Sequence, residues 1–519
     1  MDGYLLGYDI GSSSIKATLL EIETGRVAAT ASSPDRELEI QAPRPGWAEQ
    51  DPDVWWQHLE TATARIASSD AKLADVQAVG ISYQMHGLVC LDRKGRVLRP
   101  AIIWCDSRAV ELGDRAFRDL GAERCLQNLL NSPGNFTASK LAWVRGNEPE
   151  IFEKIDRILL PGDYIAYRLT GTLNTTPSGL SEGILWDFSK QRLAAFLLEY
   201  YGIPQRMIPP TVANFALQGE VSRECGDRLG LKPGIPVSYR GGDQPNNALS
   251  LKVLHPGEVA ATAGTSGVVY GVGDKVVYDS ASRVNTFVHV NHAQNTPRYG
   301  TLLCVNGTGI LNSWLKHQLM TAEGTEPGAG AAAAGAPAAE RSAVPGASYD
   351  QMNALAASVP VGADGLVVLP YGNGAERTLE NRNPGASIHA LDLNRHTRAH
   401  LLRAAQEGIV FALKYGLQIM EGMGLSIELV RAGAANMFLS PLFTEAFATI
   451  SGATVELYNT DGSQGAARGA GIGAGIYDME SAFVGLEQVR AVTPNAALGS
   501  SYEEAYQRWL AQLGRALDG

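Results

Sequence analysis

The sequence has few cysteines, no long hydrophobic run and no excess of positive charge. Its five cysteines in 519 residues include no CxxC pair, so neither a disulfide framework nor a zinc ribbon is expected. No apolar run of about 18 residues occurs and the first residues lack a basic region, so we expect a cytoplasmic protein without a membrane span. A net charge of −11 argues against binding to nucleic acid or to an anionic membrane.

The composition is instead that of a large globular protein. Hydrophobic residues make up 45% of the chain, which is enough for a large core. Helical and β patterns alternate along the sequence, which predicts an α/β fold. We expect two domains, over residues 1–253 and 254–519. The Ala- and Gly-rich stretch 321–349 cannot bury much apolar surface and is predicted to be a mobile surface insertion.

The first segment predicts a strand, a turn and a second strand, over residues 4–8, 11–14 and 15–21. A Rossmann or Walker loop needs a helix after the turn, so this order argues against a dehydrogenase. The turn carries hydroxyl groups, and Asp9 precedes it while Lys16 follows it. This mixture suits phosphate oxygens and a hydrated cation. An ordinary polar hairpin turn is the alternative interpretation.

The same pattern recurs later, with strands predicted over residues 258–263 and 268–272 around a Gly-Thr-Ser-Gly turn. Two such turns suggest two related halves that face each other and hold a nucleotide between them, although Gly-Ser turns are common in hairpins.

Asp243 is the best candidate for a catalytic base. It follows a predicted strand and two glycines, which puts its carboxylate at a strand end, where it could accept a proton from an attacking hydroxyl. A helix N-cap before Pro245 is the alternative. The segment 84–87 (Gln-Met-His-Gly) follows a buried strand and combines amide, thioether and imidazole groups. Such a mixture suits a polyol or keto-sugar site.

Taken together, these residues resemble the FGGY family of carbohydrate kinases over nearly the whole length of the chain, apart from the insertion. The segments that carry the resemblance are 7–16, 46–52, 84–87, 104–108, 241–243, 264–267 and 432–436. Each motif is weak alone, whereas their order and spacing are specific.

The resemblance implies an actin-like (ribonuclease H-like) ATPase fold, with two duplicated domains around a central cleft. It implies ATP-dependent phosphorylation of a sugar hydroxyl, with O5 of D-xylulose as the expected acceptor and with ATP and Mg²⁺ as cofactors. Gluconate, ribulose and glycerol-type polyols are alternative acceptors. A non-catalytic actin-like ATP-binding protein is a further alternative, and a homodimer is left open.

The resemblance also implies roles for single residues. Asp243 would be the general base, and Asp9 would hold Mg²⁺ through water. The sugar would be held by Gln84, Met85, His86, Asp243 and Gln244. The nucleotide would be held by Ser12, Ser13, Ser14, Lys16, Gly264, Thr265, Gly309, Asn312, Gly433 and Asn436.

Overall fold

The computed structural model describes residues 3–68, 72–320 and 348–518 of the chain. The predicted insertion over 321–349 lies outside these residues, except for its last two. Ser348 caps a helix and Tyr349 begins it, so the predicted end of the insertion is two residues too late.

The first half of the chain forms a six-stranded sheet and several short strand pairs. Its strands are β1 (Tyr4–Ile10), β2 (Ile15–Glu21), β3 (Val27–Ser33), β4 (Glu49–Gln50), β5 (Val76–Tyr83), β6 (Val89–Leu91), β7 (Ala101–Ile102), β8 (Arg157–Leu159), β9 (Trp186–Asp187), β10 (Arg192–Leu193), β11 (Phe215–Glu220) and β12 (Pro236–Gly242). The sheet has the order β3-β2-β1-β5-β12-β11. The successive strand pairs are antiparallel, antiparallel, parallel, parallel and antiparallel.

The second half repeats this topology. Its strands are β13 (Glu258–Ala263), β14 (Gly267–Gly273), β15 (Asn285–Val288), β16 (Tyr299–Val305), β17 (Val367–Tyr371), β18 (Gly385–His389), β19 (Leu429–Gly433), β20 (Thr454–Tyr458) and β21 (Gln488–Val492). In the order β16-β14-β13-β19-β20-β21 the strand pairs have the same directions as in the first sheet. Strand β15 adds to the β16 edge. The predicted duplicated α/β fold is therefore confirmed.

Helices cover both sheets. They are α1 (Pro52–Ala67), α2 (Val110–Leu120), α3 (Ala122–Leu129), α4 (Thr137–Asn147), α5 (Pro149–Phe152), α6 (Pro161–Thr170), α7 (Pro177–Glu182), α8 (Ala195–Tyr201), α9 (Arg223–Leu229), α10 (Asp243–Ser250), α11 (Gly309–Leu319), α12 (Tyr349–Ala357), α13 (Arg398–Gly422), α14 (Pro441–Ser451), α15 (Gly462–Gly473) and α16 (Gly499–Asp518). Short 3₁₀ helices span Leu73–Asp75, Gln205–Met207, Ala363–Gly365, Arg377–Leu379, Asn436–Leu439 and Ser481–Phe483. Within the described ranges, none of the helices combines the length and apolarity that crossing a membrane requires.

Helix α15 belongs to the second half but packs on the sheet of the first. A Cβ at Gly7 of β1 would lie 1.9 Å from Ser463 O, and a Cβ at Gly80 of β5 would lie 2.0 Å from Ala466 O. Both strands therefore need glycine where the helix backbone approaches. The small residues of 465–475 predict a helix that packs closely on its neighbour, and α15, which ends at Gly473, confirms this prediction. The division at residues 253 and 254 remains a prediction, and each large sheet lies wholly on one side of it.

A second contact joins the halves near β15. Asn131, which follows α3, donates to Thr286 O at 2.8 Å and accepts from Thr286 N at 3.1 Å. Phe287 and Val288 of β15 are buried in an apolar cluster whose other members come mainly from residues 85–208. The two halves thus share part of their core.

Candidate active site

Four residues line up across the carboxyl end of β1 and β5. In the strand register, Lys16 pairs with Asp9, Asp9 with Ser82, and Ser82 with Gly241. Asp243 follows two residues later as the first residue of α10, and Gly242 is the N-cap. The interpretation of Asp243 as a helix cap is therefore wrong, because the glycine before it takes that position.

The two carboxyl groups of this row influence each other. Burial, and then the charge of Asp9, raise the pKa of Asp243 to about 7, while the amides of Gln244 oppose the shift. Burial also raises the pKa of Asp9, and the charge of Asp461 adds to the effect. Asp243 can therefore exchange a proton near neutral pH, as a general base must. A cation between the carboxylates would relieve their repulsion.

Side chains outside the first Gly/hydroxyl turn, residues 11–14, help to hold it in place. Gly11 N donates to Ser14 O at 3.0 Å and closes the turn. The Gln50 side chain donates to Ser12 O at 2.7 Å, and Trp104 Nε1 donates to Ser12 Oγ at 3.2 Å. Ser13 is exposed, whereas Ser12 and Ser14 are half-buried. The turn is thus held through two carbonyl groups and the Ser12 hydroxyl, while Ser13 stays exposed.

Lys16 forms an ion pair with Asp461, a residue that the sequence did not indicate. Asp461 is the N-cap of α15, where it accepts from Gln464 N at 3.0 Å and from Ser463 Oγ at 2.7 Å. Burial opposes ionisation of Asp461, but the charge of Lys16 and these hydrogen bonds keep its pKa below the usual value. The amine of Lys16 is therefore held beside Asp9 by a residue from the second half.

The loop after β5 presents a neutral histidine. His86 has a left-handed backbone (φ 62°), and its Nδ1 lies 2.9 Å from Glu182 O. Burial, together with the charge of Lys140, lowers the pKa of His86 to about 3. The carbonyl can only accept, so Nδ1 carries the proton and Nε2 is an acceptor. Lys140 Nζ holds the loop by donating to His86 O and Ile103 O, each at 2.9 Å.

Gln84 and Met85 lie behind this loop. Gln84 is buried, and its Nε2 donates to Gln50 Oε1 at 3.3 Å. Gln50 therefore connects the motif 84–87 with the first turn. Met85 is also buried, and a Cβ at Gly242 would lie 2.6 Å from its Cγ. Direct sugar contacts from Gln84 and Met85 remain predictions, and so does a contact from the half-buried Gln244.

The predicted nucleotide residues of the second half come together around α11. Gly264 O accepts from Gly309 N at 2.9 Å, and Thr265 O accepts from the next N–H of the helix at 3.1 Å. A Cβ at Gly309 would lie 2.2 Å from Gly264 O, so only glycine fits there. Asn436, with a left-handed φ of 55°, approaches the other side of Gly264. Asn312 is buried one turn along α11.

Residues 458–462 connect the two groups of predicted site residues. Tyr458 O accepts from Ala434 N at 2.8 Å, next to Gly433 at the end of β19. Gly462 lies so close to Asp9 that a Cβ there would be 2.4 Å from the carboxylate. One short segment therefore joins the turn 433–436 to Asp9. The result is a site with a titratable carboxyl, a lysine and two Gly/hydroxyl turns, which together suit phosphoryl transfer.

Comparison with known proteins agrees with this class of chemistry. Residues 4–250 match the N-terminal domain of the FGGY family of carbohydrate kinases, and residues 259–476 match its C-terminal domain. The chain belongs to this family and is a sugar kinase that uses ATP. It is 30% identical to the xylulose kinase of Escherichia coli (strain K12), over 90% of this chain and 88% of that protein.

Solved structures agree in fold. The xylulose kinase from Rhodospirillum rubrum superposes with a TM-score of 0.83 at 26% identity, and 99% of this chain and 98% of that chain are covered. The gluconate kinase from Lactobacillus acidophilus gives a TM-score of 0.85 at 20% identity, with the same coverage. At that identity the likeness concerns the fold alone. Together these matches confirm the predicted two-domain fold.

Proposed function

We propose that the protein transfers the γ-phosphoryl group of ATP to O5 of D-xylulose, with Asp243 as general base. The observation that carries this proposal is the position of Asp243 at the end of β12, beside Asp9, with a pKa near neutrality. The relatives named xylulose kinase support D-xylulose as the acceptor. Membership of the family favours a catalytic protein over a non-catalytic ATP-binding one. A cytoplasmic location and a homodimer stay predictions.

The chain's own residues supply most of the required chemistry. Asp243 accepts the proton of the attacking hydroxyl at its carboxylate. Lys16 and the backbone N–H groups of the two turns face the phosphate oxygens and stabilise the charge of the transferring group. His86 Nε2 accepts a hydrogen bond from a second sugar hydroxyl, and Met85 provides apolar surface beneath the sugar carbons.

Mg²⁺ fits beside the carboxylates of Asp9 and Asp243. Within residues 3–68, 72–320 and 348–518, no group of three or more His, Cys, Asp or Glu side chains suits a metal ion. Mg²⁺ commonly takes only one or two carboxylates and completes its shell with water and phosphate oxygens. Asp9 would hold it through water, and the repulsion between Asp9 and Asp243 favours a cation there. When bound, the ion neutralises phosphate charge.

A panel of acceptors tests the proposal. ADP release is measured with D-xylulose, D-ribulose, gluconate and glycerol, using wild type, Asp243→Asn and the exposed control Asp274→Asn. We expect the highest kcat/KM with D-xylulose and a loss of roughly 10²- to 10⁴-fold in kcat for Asp243→Asn only. A higher kcat/KM for another acceptor would refute D-xylulose. Full activity of folded Asp243→Asn would refute the base.

A further inference from the structure

Arg377 of the second half reaches a loop of the first half. Its Nη2 donates to Ser282 Oγ at 2.8 Å and lies 3.4 Å from Ser132 Oγ. Ser132 lies between α3 and α4, and its own N–H donates to Ser282 Oγ at 3.3 Å. Ser282 Oγ therefore accepts from both halves, and Arg377 completes the junction.

Glu376, the residue before Arg377, holds the candidate nucleotide loop, residues 306–308, which leads into α11. Glu376 is fully buried, and its two carboxylate oxygens accept from Asn306 N at 3.0 and 3.1 Å. The chain then leads through Gly307 and Thr308 to Gly309, whose N–H contacts Gly264. Two adjacent side chains, 376 and 377, thus hold the nucleotide loop and the junction between the halves.

The same junction continues to the candidate sugar residue. Phe136, in the loop that contains Ser132, packs edge-on against the ring of His86 with a centroid distance of 4.8 Å. Phe287 of β15 lies 5.5 Å from the same ring. Hydrogen bonds, ring contacts and short stretches of chain therefore connect Gly309, through Glu376 and Arg377, with the loop 130–136 and His86.

Arg377 carries its positive charge in a half-buried position. Burial lowers the pKa of its guanidinium to about 10. Across the parts of the chain that the structure describes, no carboxylate forms an ion pair with it, and its buried Nε has no hydrogen-bond partner. The half-buried guanidinium donates to hydroxyl groups of both halves, and the charges of Asp114 and Asp279 favour its charged form. It therefore links the halves through directional hydrogen bonds.

We propose that Arg377 is a positioning residue that couples sugar binding at His86 to nucleotide binding at the Gly264–Gly309 contact. Sugar that settles against His86 and Phe136 fixes the loop 130–136, and Arg377 then fixes Glu376 and the loop before α11. The proposal rests on the proposed locations of sugar and ATP. The proposal predicts that bound sugar raises the affinity for the nucleotide and that bound nucleotide raises the affinity for the sugar by the same factor.

The test measures the affinity for a non-hydrolysable ATP analogue with and without sugar, by titration calorimetry of the full chain. The sugar is whichever of D-xylulose, D-ribulose, gluconate and glycerol the wild type phosphorylates fastest, so failure of D-xylulose alone would not affect this test. The variants are Arg377→Gln and the matched control Arg382→Gln. Arg382 lies in the same segment, and its side chain donates to Leu379 O at 3.2 Å and to Leu517 O at 3.4 Å, both in the second half.

We expect sugar to raise the wild-type affinity for the analogue by about 5- to 150-fold. In Arg377→Gln the ratio of the affinities with and without sugar should fall close to one, while the affinity for the analogue alone changes little. Arg382→Gln should keep the wild-type ratio. A ratio of one in the wild type, an unchanged ratio in Arg377→Gln, or an equal loss in Arg382→Gln would each overturn the proposal.

A second variant covers the case in which Arg377→Gln does not fold. Ser282→Ala leaves the guanidinium in place and removes its shortest hydrogen bond. We expect this variant to reduce the ratio severalfold. An unchanged ratio in folded Ser282→Ala would also overturn the proposal.

Discussion

At the scale of single residues, burial moves the pKa values of the candidate base and the candidate sugar ligand in opposite directions. It raises the pKa of Asp243 to about 7 and lowers that of His86 to about 3. Desolvation penalises the charged form in both cases. Asp243 thereby becomes basic enough to take a proton at neutral pH, while His86 stays an uncharged acceptor.

We expect activity to fall on the acidic side of neutrality. The carboxyl of Asp243 must be ionised to act as a base, and its raised pKa means that half of it is protonated near pH 7 rather than near pH 4. At pH 6 roughly a tenth of the enzyme would remain active. The measurement is kcat/KM for the sugar between about pH 5.5 and 8.5.

The affinity for ATP over the same pH range is the control, because the nucleotide phosphates also titrate. If kcat/KM stayed constant to about pH 5.5, Asp243 would not be the titrating base. If the affinity for ATP fell in parallel with kcat/KM, the nucleotide would account for the acidic limb.

The sequence allowed Asp243 to be predicted but not Asp461. Asp243 stands directly after a strand pattern and two glycines, and these local signals predict a strand end. Asp461 matters because it pairs with Lys16, which is 445 positions away. Local patterns contain no information about such a pairing, so only the folded chain reveals it.

At the scale of elements, the contact between α15 and the first sheet depends on glycine. We expect Gly80→Ala to destabilise the protein by about 1–3 kcal/mol or more, because its Cβ would lie 2.0 Å from the backbone oxygen of Ala466. Gly146→Ala in α4 is the control, since no heavy atom lies within 4 Å of its added Cβ. That change should stabilise by about 0.5–1 kcal/mol. Urea denaturation measures both free energies of unfolding.

A Gly80→Ala variant as stable as the wild type would show that α15 can move away from the sheet without cost. Composition allowed the helix itself to be predicted, since its small residues are typical of close packing. Its partner could not be predicted, because the glycines of β1 and β5 lie in strands some 400 residues earlier.

At the scale of the whole molecule, the two halves are not independent. Leu5, Ala78 and Tyr239 of the first half are buried in one cluster with Ala467 and Tyr477 of the second. The apolar cluster at β15 joins the halves again, beside the candidate sugar loop. A chain cut at the predicted division between residues 253 and 254 would therefore expose apolar surface from both clusters.

We therefore expect the fragment 1–253 to lack a cooperative unfolding transition, because one face of its sheet loses α15. Exposed apolar surface should make it bind a hydrophobic dye, as loosely packed states do. Joining residues 458–486 to the fragment through a Gly/Ser linker should restore much of the cooperativity, since this segment supplies the missing face. Circular dichroism during thermal unfolding and dye fluorescence measure both effects. A cooperative, dye-free fragment 1–253 would mean that the first half folds alone and that α15 only docks on it.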